Sequence, residues 1–131
     1  MRFLICLIVG VLIGAMCAMT AANVLGQRNA WPRAVMTVMQ HELGVAREGV
    51  RAGRCTQGDV ASTAAHLKLL SSDIESALLA PGKHDRVFSQ YADDLRREIG
   101  ALDAPDLDCA ARSEVLTKIG QACDACHRDY K

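Results

Sequence analysis

The chain has 131 residues, enough for one domain and too few for two of ordinary size. Lys plus Arg and Asp plus Glu each number 15, so neither a polyanion-binding surface nor an acidic tail is implied, and nucleic acid is not an expected partner. Aromatic residues make up 4% of the chain, a composition that suits packed helices and speaks against a β-sandwich or barrel.

After Arg2, residues 3–26 carry no charge. A basic start, an apolar centre and the small residues Thr20-Ala21-Ala22 read as a secretory signal over residues 1–22, cut after Ala22. The stretch is also long enough to span a bilayer, and an uncleaved anchor is the alternative, making the membrane a partner only if the segment is retained. Met16 is larger than the residue that lipoprotein processing at Cys17 needs. Residues 23–131 are then the functional domain, expected in the periplasm, soluble or held at the inner membrane. Losing the signal removes only Arg2 from the charge count and leaves the domain nearly neutral.

Turn residues divide the domain into four segments of helical length. Segment A begins near Asn29, with Pro32 in its first turn, and spaces Met36, Met39, Leu43, Ala46, Val50 and Gly53 by three and four. Segment B opens on Thr56-x-x-Asp59, an approximate capping box, carries Val60, Thr63, Leu67, Leu70, Ile74 and Ala77, and stops at Pro81-Gly82. Segment C starts near Asp85, places Phe88, Tyr91, Leu95 and Leu102 on one side, and ends before Pro105. Segment D starts at Asp106 or Asp108, acidic residues suited to a helix N-terminus, and runs to the chain end. Short connections predict an all-α, antiparallel up-down-up-down four-helix bundle.

The chemistry is concentrated in Cys123-Asp124-Ala125-Cys126-His127. C-x-x-C-H is the attachment signal of c-type haem: the two thiols add across porphyrin vinyl groups and the adjacent imidazole takes an axial position on iron. Leu116, Ile119, Cys123, Cys126 and Tyr130 recur by three and four, so both thiols fall on the stripe facing the core. One haem c, with Cys123 and Cys126 as thioethers and His127 as proximal ligand, is the expected cofactor. A thioredoxin-like pair belongs at a helix start in a βαβ setting, a structural zinc site lacks its second cysteine pair, and a disulfide across three helical residues gains little.

The string Gly120-x-x-Cys123-x-x-Cys126-His127-x-x-Tyr130-Lys131 resembles the closing motif of class II c-type cytochromes, the cytochrome c′ and cytochrome c-556 family. Arg33-x-x-Met36 is similar to that family's first-helix pattern of a basic residue followed by the side chain that meets the distal haem face. The resemblance implies a four-helix bundle with haem attached near the C-terminus, and a homodimer through the first two helices.

The bundle reading also places the start of A and the end of D at one end, so Met36 can face iron opposite His127, with Met39 one turn deeper as distal wall. Met36 coordination makes a six-coordinate one-electron carrier serving unidentified redox partner proteins. An uncoordinated Met36 makes a five-coordinate binder of nitric oxide or carbon monoxide. The third reading is a haem-free bundle with a redox-active C-x-x-C. No triad or paired carboxylates suggest an enzyme. His41, His66 and His84 read as surface or capping residues, and Lys131 as a cation near the haem edge. Arg47, Arg51 and Arg54 read as a solvated face. Cys55 and Cys109 fall at the other end of the bundle in an oxidising compartment and are a candidate disulfide.

Overall fold

The structure, a computed structural model, describes residues 2–28 and 30–130. It is all-helical, with α1 (Arg2–Arg28), α2 (Ala30–Arg51), α3 (Gln57–Leu78), α4 (Arg86–Leu102) and α5 (Cys109–Asp129), and no strand among the described residues. Two compact units divide it, Met1–Arg33 and Ala34–Lys131.

The first unit is dominated by α1, whose window Leu7–Val24 is apolar enough to cross a membrane and has no buried residue. Thr20 Oγ1 donates to the carbonyl of Met16 at 2.8 Å, so the hydroxyl is satisfied within the helix. The proposed Asn29 cap lies outside the described residues.

The second unit has a continuous apolar core to which α2, α3, α4 and α5 all contribute. On α2 the buried positions are Val35, Met39, Leu43, Ala46 and Val50. The stripe begins at Val35 rather than Met36, which is half-buried, and it excludes the exposed Gly53. Gly53 instead ends the helix at φ +77°, with its N–H on Val50 and that of Arg54 on Gly49, each at 3.0 Å. This pairing satisfies two terminal carbonyls, and glycine takes the left-handed conformation without a Cβ penalty.

Thr56 caps α3 through a reciprocal box: its N–H donates to Asp59 at 2.9 Å and its hydroxyl accepts from the Asp59 N–H. The helix buries Val60, Ala64, Leu67 and Ile74, while Leu70 and Ala77 are half-buried at its margin. Asp85 caps α4 by accepting from the N–H groups of Val87 and Phe88, and Asp108 caps α5 by accepting from that of Ala111 at 2.7 Å. Helix α4 packs against both α3 and α5. The α2–α3 pair is tied by His66 Nδ1 and Glu42 at 3.0 Å.

Cys55 and Cys109 are joined by a disulfide, with Cα atoms 5.1 Å apart. One turn along α5, the fully buried Arg112 donates to the carbonyls of Cys55 and Leu102 at 2.6 Å each and of Ala104 at 3.1 Å. The guanidinium thereby satisfies the carbonyls beyond α2 and at the end of α4, where helix dipoles leave negative charge. Sequence reading gave no sign of this role, because an arginine in an amphipathic helix is ordinarily exposed.

Candidate functional site

Helix α5 carries Leu116 and Ile119 into the core and leaves Cys123, Cys126 and Tyr130 half-buried against it, following the three-and-four spacing. Two turns further from Leu116 the packing opens into a cavity of about 300 Å³. Cys123, Cys126 and His127 line it from α5, and Met36 and Met39 line it from α2. Leu67 and Ile74 of α3 and Phe88 and Leu95 of α4 complete an apolar wall. The volume falls at the lower end of the range for small-molecule and cofactor sites, which runs from about 300 to 1,000 Å³.

Both thiols are free in this structure. Burial pushes the Cys123 thiol up, and the neighbouring Asp124 carboxylate adds to it; burial followed by Asp129 does the same to Cys126. Neither sits in the electropositive, thiolate-favouring setting of a redox-active pair. The His127 ring is exposed at the cavity edge.

Aromatic and acidic side chains hold the end of α5 in place. The Tyr130 hydroxyl donates to Asp85 at 2.8 Å, and its ring meets Phe88 edge-on with centroids 5.1 Å apart. Tyr91, which also lines the cavity, donates to Asp129 at 2.6 Å. Loss of solvent and the Asp85 carboxylate push the Tyr130 phenol up to about 12. The cap of α4 therefore also anchors the residue three positions beyond His127.

Of the other sequence candidates, His41, His66 and His84 are exposed and none lines the cavity. Arg33 is exposed and falls in the first compact unit, and Lys131 lies outside the described residues. Arg47, Arg51 and Arg54 are exposed, as a solvated face requires, and Arg47 makes one bond besides. Its Nη2 donates to the carbonyl of Leu116 at 3.3 Å, and the residue lines the cavity wall.

Comparison with protein-family models, with curated proteins and with solved structures gives no match.

The donor set itself constrains what the cavity can hold. Among the described residues no group of three or more His, Cys, Asp or Glu side chains is arranged to cage a metal ion. One imidazole, two thiols and two thioethers around an apolar cavity fit a metal that arrives already held by a planar organic ligand.

Proposed function

We propose that this chain is an exported c-type cytochrome of the class II kind, an antiparallel four-helix bundle with one covalently attached haem, which carries single electrons between redox partner proteins. The observation that carries this reading is the convergence of Cys123, Cys126 and His127 with Met36 and Met39 on one apolar cavity.

Cys123 and Cys126 would hold the group through thioethers, and His127, next in sequence, would bind its iron. Met36 would supply a thioether to the iron, and Met39 would back it as cavity wall. When bound, the haem supplies a one-electron iron couple whose potential a thioether ligand raises. Leu67, Phe88 and Leu95 keep water from the site, and the bonds of Tyr130 and Tyr91 to Asp85 and Asp129 hold the histidine-bearing turn in position. The apolar wall also suits the competing reading, a five-coordinate site open to nitric oxide or carbon monoxide.

The test is co-expression with a cytochrome c maturation system, followed by absorption spectra of oxidised and reduced protein before and after carbon monoxide. A covalent low-spin haem that resists carbon monoxide, and becomes high-spin in Met36→Ala, supports the electron carrier. High-spin parent protein that binds carbon monoxide readily replaces it with the gas-binding reading. Absence of a haem band sinks both and favours a haem-free thiol pair.

A further inference from the structure

Gly120 opens the motif that ends at His127, and a Cβ built at this position lies 2.4 Å from Nη2 of Arg47. Among the described residues no other glycine has a neighbour so close. The missing side chain lets the guanidinium lie directly against the α5 backbone, where Nη2 reaches the Leu116 carbonyl at 3.3 Å. Among the described residues that is one of its five N–H donors, leaving the others for a further acceptor.

Arg47 also sits where two environments meet. It lines the apolar cavity beside Cys123 and Gly120, and it lines a second cavity of about 350 Å³ with Arg51, Ser113 and Thr117. Its charge is felt at Cys123, whose thiol it opposes burial in shifting. An apolar cavity closed at one edge by a cation, with a second cation just beyond, suits an occupant with an apolar body and a carboxylate rim.

We infer that Arg47, placed by Gly120, is the carboxylate-binding residue of this cavity and pairs with a propionate of the haem. The inference rests on the cytochrome reading above. A guanidinium is suited to this work because its planar fork matches a carboxylate and forms charge-assisted bonds. Arg47 is a positioning residue: it neutralises the carboxylate and thereby tunes the iron without touching it. The other charged or titratable groups on the cavity are Cys123, Asp124, Cys126 and His127 from α5 and Tyr91 from α4, while α3 contributes only Leu67 and Ile74.

The experiment is spectroelectrochemical titration of haem-loaded parent, Arg47→Lys, Arg47→Gln and Gly120→Ala proteins between pH 5 and 8. Gly120→Ala is informative because the clash is with the far end of a flexible side chain, so the helix is kept while the guanidinium is displaced. The expected result is a lower reduction potential in Arg47→Gln and Gly120→Ala, with a pH dependence steeper than the parent's, and near-parent behaviour in Arg47→Lys. Haem-loaded variants whose potentials match the parent across the range overturn this inference alone. A parent protein without covalent haem overturns the cytochrome reading and this inference together.

Discussion

The carbonyl of Cys55 accepts a 2.6 Å hydrogen bond from Nε of Arg112, three residues after Cys109, to which Cys55 is covalently bonded. One turn of α5 therefore grips the α2–α3 connection twice, once by a disulfide and once by a buried guanidinium. The same guanidinium reaches Leu102 and Ala104, so the α2–α3 and α4–α5 connections meet at one side chain. Helical rise places this knot about 26 Å along α5 from Cys126, clear of the cavity.

Arg112→Ala is expected to cost about 3 kcal/mol or more, because it leaves three buried or half-buried carbonyls without their donor. Arg112→Lys should recover only part of this, since an ammonium cannot span the carbonyls as a planar fork does. Urea unfolding of the three proteins checks both. An alanine variant as stable as the parent would show that water replaces the guanidinium at no cost.

Replacing Cys55 and Cys109 by Ser should lower stability by about 2–4 kcal/mol, through the freedom returned to the unfolded chain. Their sequence separation is 54 residues. Because Arg112 and the disulfide hold the same segment, their losses should be non-additive in a double-mutant cycle. Thermal unfolding with and without reductant gives an independent reading.

Acid should weaken the fold below about pH 4. The Asp85 carboxylate is held low by the Phe88 N–H and then the Tyr130 hydroxyl, and Glu75 by the Ser89 hydroxyl and then Arg96. Groups lowered in the folded state contribute stability above their unfolded values and lose it as pH falls through the folded ones. Tyr130 has the opposite sign: raised to about 12, it favours the fold up to the ordinary phenol range near pH 10 and loses that contribution as pH rises toward 12. Melting temperature against pH should show both limbs, and Tyr130→Phe should remove part of the alkaline one.

Met39→Ala is expected to cost about 2–4 kcal/mol, since Met39 is only 6% exposed among core side chains. Met36→Ala should cost less, because Met36 is half-buried and faces the cavity. Denaturant unfolding separates the two without reference to any cofactor. If Met36 binds iron, only its removal converts the holoprotein spectrum to high-spin.

Helix identity and most helix ends were legible in the residues, because they depend on neighbours only a few positions apart. Thr56-x-x-Asp59, Asp85 and Asp108 announce N-termini by offering oxygen acceptors to unpaired N–H groups. The spacing of Leu116, Ile119, Cys123, Cys126 and Tyr130 likewise sets one face of α5. Tertiary packing decided what periodicity cannot carry. It buried Val35 in the stripe and turned Met36 toward the cavity, a difference of one residue that depends on what lies opposite α2. It also buried Arg112 and gave the exposed Arg47 a carbonyl to bond, because whether a long cationic side chain meets a distant carbonyl is settled by partners 57 and 69 residues away in the chain.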